Sequence, residues 1–393
     1  MTAPQTRSEL AAARRLVIKV GSSCLTDTAG HLAPDRLGAL VNGLAGRLAA
    51  GREVVLVSSG AQAAGMGPLG LPTWPRTLAE AQAAASVGQG LLMAEYTRAF
   101  GSHGRTVGQV LLTSRDIVRR STYGNAERAL VTLLERGVVP VINENDAVAT
   151  DEIRFGDNDR LAAFVAHLVR ADGLVLLTDV DGLRTAPPTR PGSVRIAEVV
   201  DSEDLEGISV SARGSAVGTG GMATKVHAAG LATSSGIPVL LTSVNRLAEA
   251  LDPSIGEEEA AQHGTFFHVT GERLTGKRMW LGYAAAPRGR LLVDPGAAEA
   301  VTSGKRSLLP VGVVGVEGEF TPGDVVEVVD PTGMIVARGI TGYSSADLAK
   351  VKGLSLAAIQ DRLGPRQALE AIHRDELTPH ARSRRPKPHD GSR

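Results

Sequence analysis

The chain has 393 residues, 43% of them hydrophobic and 21% charged, with 42 Lys plus Arg against 42 Asp plus Glu. That length implies two or three domains with a sizeable interior, and the composition excludes collagen, coiled coil, mucin and a chain disordered throughout. A formal charge of zero leaves no global basic field to draw in nucleic acid or an anionic membrane, so any polyanion site must be local.

Residues 1–15 form an N-terminal segment whose first ten residues are polar, and the apolar run 16–18 stops at Lys19, too short for a signal peptide. No run approaches the roughly 20 apolar residues of a spanning helix. Cys24 is the only cysteine and cannot form an intrachain disulfide, which suits a reducing compartment. A soluble, cytoplasmic protein without a membrane partner is expected.

From residue 16 to about 245, short apolar runs alternate with segments of helical period. Strands are predicted at 16–20, 54–57, 107–112, 138–142, 174–177 and 238–241. Between them, Leu37, Leu40, Val41, Leu44 and Leu48 keep the spacing of one buried helix face, with Gly51 as the stop. Leu130, Leu133 and Leu134 mark a helix ending before Gly137, and Leu161, Val165 and Leu168 mark the next. This alternation predicts an α/β fold, a mostly parallel sheet with helices on both faces, over 16–270. Residues 271–287, punctuated by glycine and without clear period, are predicted as a linker. A small β-rich domain follows over 288–376, with runs at 291–293, 311–316, 325–329 and 334–337 and turn signals at Gly323-Asp324 and 331–333. Residues 377–393 are expected to be a disordered tail.

In open parallel sheets ligands collect at the carboxyl ends of strands, where helix N-termini also point their free N–H groups. At that edge stand Lys19 with Gly21-Ser22-Ser23, Ser58-Ser59-Gly60-Ala61, Asn143-Glu144-Asn145-Asp146, Thr178-Asp179 and the run Gly218-Thr219-Gly220-Gly221-Met222-Ala223-Thr224-Lys225. Glycines in the last run allow close backbone approach to an anion, and Lys225 adds a mobile charge suited to phosphate; a surface loop with a solvated lysine would look the same. It is not a Walker A loop, because Thr224 precedes the lysine. Two dinucleotide fingerprints fail. Gly65-Met66-Gly67-Pro68-Leu69-Gly70 runs into Pro72 and Pro75 and reads as a loop, and Gly218–Ala223 lacks the acidic residue expected some 20 positions on. Asn143, Asn145, Asp146, Asp157, Asn158 and Asp159 include one or two helix caps or turn formers, but six within 17 residues exceed that need. Such side chains can bind an amino acid by its ammonium and carboxylate, and an aspartate between two lysines would hold both.

These residues, in order and spacing, resemble the glutamate 5-kinases of the amino-acid kinase superfamily, over residues 16–375. The runs 292–297, 307–310 and 323–326 resemble a PUA domain. The resemblance implies transfer of the ATP γ-phosphoryl group to the side-chain carboxylate of L-glutamate, the first step of proline synthesis, with Mg²⁺ arriving on the nucleotide and no metal held by the protein alone. It implies that Lys19 and Lys225 contact the transferring group and Asp159 orients them. Ser59, Asp146 and Asn158 would bind glutamate. Lys19, Thr178, Asp179, Thr219, Gly220, Gly221, Met222, Ala223, Thr224 and Lys225 would hold ATP. It further implies a homo-oligomer and proline as a feedback inhibitor. Ala223 stands where many relatives have Ser, and 363–366 and the basic tail also depart from the pattern. The rival readings are a kinase of aspartate or N-acetylglutamate, or an RNA-binding PUA protein. Against RNA, residues 288–362 carry eight Lys plus Arg and nine Asp plus Glu, with no basic stripe.

Overall fold

The computed structural model describes residues 3–27, 30–113, 116, 120–148, 158–201, 203–205, 208, 221–271, 287–303, 306–363 and 369–379. The chain divides into two compact units, Met1–Arg273 and Leu274–Arg393. The predicted linker lies almost wholly outside the described residues.

The first unit is built on eight strands: β1 (Arg15–Val20), β2 (Glu53–Ser58), β3 (Val107–Leu112), β4 (Val139–Glu144), β5 (Gly173–Thr178), β6 (Glu198–Val199), β7 (Val239–Ser243) and β8 (Thr265–Phe267). Their order is β3-β4-β2-β1-β5-β7-β8-β6, with every pairing parallel except β7 with β8. The central strands are apolar on both faces, as a sheet covered on both sides requires: β4 and β5 are buried at every residue. The six predicted strands stand where their apolar runs place them, β3 with unchanged bounds. β6 and β8 are additions, too short to show any period.

Helix Pro34–Ala49 buries Leu37, Leu40, Val41, Leu44 and Leu48 against the sheet and ends before Gly51, which adopts φ +71. A helix absent from the sequence reading runs over Leu78–Gly101, opened by a capping box between Thr77 and Glu80. It packs on a short helix, Ala61–Met66, so closely that a Cβ on Gly88 would lie 1.8 Å from the Ala61 carbonyl oxygen. The expectation that Gly65 and Met66 lie in a loop is therefore corrected: they close a helix whose glycine lets two backbones touch. The N-terminal segment contains helix Arg7–Ala12, fastened by the buried Arg7 guanidinium to the carbonyls of Ala197 and Gly264.

The second unit carries five strands in the order β10-β9-β11-β12-β13, namely β9 (Gly289–Val293), β10 (Val313–Gly318), β11 (Val325–Val329), β12 (Ile335–Ile340) and β13 (Leu377–Pro379). Its core gathers Leu291, Val293, Val326, Val328, Leu348, Ile359 and Ile372. β13 corrects the expected start of the tail: Leu377 is fully buried and pairs with Gly339. Residues 380–393 lie outside the described set.

Candidate active site

Register places the site. Val20 of β1 pairs with Ser58 of β2, Lys19 with Leu176 of β5, and Val57 with Ile142 of β4. The carboxyl ends of four adjacent strands therefore present Asn143, Ser58, Lys19 and Thr178 side by side.

Lys19 projects from β1 and is 2% exposed, and Lys225, on the first turn of helix Met222–Ser234, is 7% exposed. Between them Asp159, on the first turn of helix Asn158–Leu168, is fully buried. Its Oδ1 lies 2.5 Å from Lys19 Nζ and its Oδ2 3.2 Å from Lys225 Nζ. Two lysines 206 positions apart thus share one carboxylate. Burying an ammonium this deeply is costly unless an opposite charge is paired with it, and Asp159 supplies that charge to both lysines. Thr224, expected near ATP, has its hydroxyl 3.0 Å from Asp159 Oδ2 and 2.7 Å from the Gly221 carbonyl, and its single proton serves one of them.

Gly221 caps the Met222–Ser234 helix with no side-chain hydrogen bond, and among the described residues the N–H groups of Met222, Ala223 and Thr224 have no acceptor, which suits them to an anion. Thr219 and Gly220 lie outside the described residues. Thr178 ends β5 with its hydroxyl donating to Asp179 Oδ1 at 3.1 Å. Cys24, in the short helix after β1, is buried, which pushes its thiol pKa up; Lys19, Asp179 and Lys225 are close enough to act on it electrostatically.

On the other side, Asn158 Nδ2 donates to Ser59 Oγ at 2.9 Å and to Asn143 Oδ1 at 3.0 Å, while Asn158 Oδ1 is buried with no hydrogen-bond partner among the described residues. Asn143 Nδ2 in turn donates to Gln89 Oε1 at 2.9 Å. Asp146 stands apart from this chain, its Oδ2 accepting from Gln62 Nε2 at 3.2 Å. It lines an open cleft of about 260 Å³ with Ala61, Gln89, Gln109 and Glu144 among its walls. The sequence reading missed Gln62 and Gln89; the Thr77-x-x-Glu80 capping signal would have found the helix that carries the second.

A site with two buried lysines, a helix N-terminus and an adjoining acidic and amide-lined cleft can hold a polyphosphate beside an amino acid. Comparison with known proteins agrees with that chemistry. The model of the Amino acid kinase family matches residues 14–243, and that of the PUA domain matches residues 289–363. The glutamate 5-kinase of Streptomyces coelicolor is 54% identical over 372 residues, 94% of this chain and 98% of that protein. That of Salinispora arenicola is also 54% identical, over 94% and 99% of the two chains, and that of Thermobifida fusca 52% identical over 95% of each. With more than half its length matched to one family and nearly all of it aligned with these enzymes, the chain belongs to the amino acid kinase family, in its glutamate 5-kinase branch.

Proposed function

We propose that the chain transfers the γ-phosphoryl group of ATP to the side-chain carboxylate of L-glutamate, giving L-glutamyl 5-phosphate and ADP, with Lys19, Lys225 and Asp159 as its catalytic centre. One observation carries the reading: both lysines converge on opposite oxygens of Asp159 at the sheet edge. In the reaction a carboxylate oxygen of glutamate bonds to the γ-phosphorus while the bond from phosphorus to the β–γ bridging oxygen breaks, and ADP leaves with that electron pair. No general base is needed, since the attacking carboxylate is already ionised at neutral pH. The protein's part is positioning and charge: two ammonium groups against the phosphoryl oxygens, and backbone N–H groups of Met222–Thr224 along the polyphosphate.

Thr178 and Asp179 would hold the nucleotide together with the 219–225 stretch. Ser59, Asp146 and Asn158 would hold glutamate, the unpartnered Asn158 Oδ1 being an acceptor suited to its ammonium. The carboxylates of Glu144 and Asp146 in the cleft suit a free ammonium, and the glutamate 5-kinase relatives support glutamate as the acid. Mg²⁺ would come bound to the nucleotide, since this ion commonly takes its ligands from phosphate and water. Its chemistry would be neutralisation of phosphate charge. Proline, with the same ammonium and carboxylate, would compete for the glutamate cleft. A homo-oligomer in the cytoplasm is the expected form, and no described helix is long and apolar enough to cross a membrane.

The test is ADP release with hydroxylamine trapping of the acyl phosphate, using glutamate, aspartate and N-acetylglutamate, then glutamate with proline added. Trapped product with glutamate alone is expected; preference for either rival acid overturns the assignment. Asp146→Ala should raise the KM for glutamate while leaving that for ATP nearly constant, and an effect confined to ATP would reverse the two halves of the site.

A further inference from the structure

Tyr96 is fully buried towards the C-terminal end of the Leu78–Gly101 helix, its ring 6.2 Å from that of Phe100. An aromatic side chain there fills the core, and phenylalanine would fill it as well. The hydroxyl, however, lies 2.8 Å from Ser58 Oγ. Ser58 Oγ spends its only proton on the Ser59 carbonyl oxygen, also at 2.8 Å, so the Tyr96 hydroxyl must be the donor to Ser58. The hydrogen bonds therefore run one way, from Tyr96 to Ser58 to the Ser59 carbonyl. Burial pushes the phenol's pKa up, which keeps that proton in place at neutral pH.

Ser59 is held at each of its polar atoms. Its N–H donates to the Val20 carbonyl at 3.0 Å, its carbonyl accepts from Ser58, and its hydroxyl oxygen accepts from Asn158 Nδ2. The next residue, Gly60, adopts φ +105, so the peptide plane after Ser59 sits in a turn with little slack. Asn158 Nδ2 faces the Ser58 carbonyl oxygen as well, at 3.4 Å, so a shift of the Ser58–Ser59 backbone would move both acceptors that Asn158 meets in this turn.

We propose that Tyr96 is a positioning residue for the substrate amino acid, fixing through Ser58 the orientation of the Ser59 turn against Asn158. The proposal rests on the assignment of Ser59 and Asn158 to glutamate and adds the buried relay that sets their geometry.

Steady-state kinetics and thermal melting of the full chain test it, with Tyr96→Phe, Ser58→Ala, the double variant, and Ser59→Ala as reference. Tyr96→Phe should raise the glutamate KM about five- to tenfold, the scale of one hydrogen bond, with the ATP KM unchanged. Ser58→Ala strands the buried phenol and should lower the melting temperature as well; the double variant removes the stranded donor and should recover much of that temperature while the glutamate KM stays raised. If Tyr96→Phe and the double variant keep the wild-type glutamate KM while Ser59→Ala raises it, the relay is overturned and the binding assignment stands. A glutamate KM that returns to normal with the melting temperature in the double variant also overturns it. An unchanged KM in Ser59→Ala removes glutamate from Ser59, and the relay falls with that reading.

Discussion

Asp159 gives one oxygen to each of two lysines, so it neutralises half the charge of the pair and leaves one positive charge in excess for the phosphoryl group. Replacing Lys225 with Ala should lower kcat by about 10² to 10³ with nucleotide binding retained, the scale of losing one preorganised charge. Unchanged turnover would take this lysine out of the mechanism. Asp159→Asn leaves two buried ammonium groups facing each other, and breaking such a pair costs about 3–5 kcal/mol, readable as lowered denaturation midpoint together with lost activity. Cys24 supplies a pH dependence. Its folded pKa is raised chiefly by burial, so its contribution to stability is complete below the ordinary thiol range and declines as pH rises from there towards the folded value. Stability measured by denaturant from neutral to mildly alkaline pH should fall in wild type more steeply than in Cys24→Ala.

At the scale of elements, the tightest contact is the crossing of helices Ala61–Met66 and Leu78–Gly101. A Cβ on Gly65 would stand 1.9 Å from the Ala84 carbonyl oxygen, and one on Gly88 would meet that of Ala61. Backbone cannot yield as a side-chain tip does, so Gly88→Ala should cost more than the about 1–3 kcal/mol of ordinary overpacking. Because the shorter helix begins directly after Gly60, the displaced backbone should also raise the glutamate KM. Calorimetry and kinetics on this one variant check both. The crossing also marks where the sequence is hard to read. Gly65, Gly67 and Gly70 imitate a nucleotide fingerprint, yet Gly65 is there for packing, which depends on a partner helix 20 residues away. That helix, Leu78–Gly101, is rich in alanine and has no sharp apolar face, so period alone passes over it, whereas Leu37 to Leu48 announce theirs through leucine spacing.

For the whole molecule, the described residues proposed for catalysis and binding fall in the first unit, around one sheet edge. Of the residues proposed for the site, Lys19, Thr178 and Lys225 stand out in the sequence because each ends an apolar run or opens a helix, whereas Ser59 and Asp146 stand in the polar turns beyond such runs. The division of Asp159 between two ammonium groups, and the direction of the Tyr96 hydrogen bond, were not legible there: side-chain aim emerges only when distant segments pack. In the second unit Glu327 is buried between Arg290 and Arg338 on neighbouring strands, at 3.2 and 2.8 Å. Both guanidinium groups keep contact with water, so Glu327→Gln should cost at most about 3 kcal/mol. It should lower the melting of that unit and leave kcat and both KM values unchanged.

β1 precedes the other described strands in the chain, yet it lies in the interior of the sheet, with β2 on one side and β5, some 150 residues downstream, on the other. A parallel strand cannot pair with its immediate successor through a tight hairpin, and Lys19 meets Asp159 and Lys225 only once the segments that carry them have docked. On dilution from denaturant, helical circular dichroism should accordingly return well before phosphotransfer does, because the reaction centre is among the last things the chain completes.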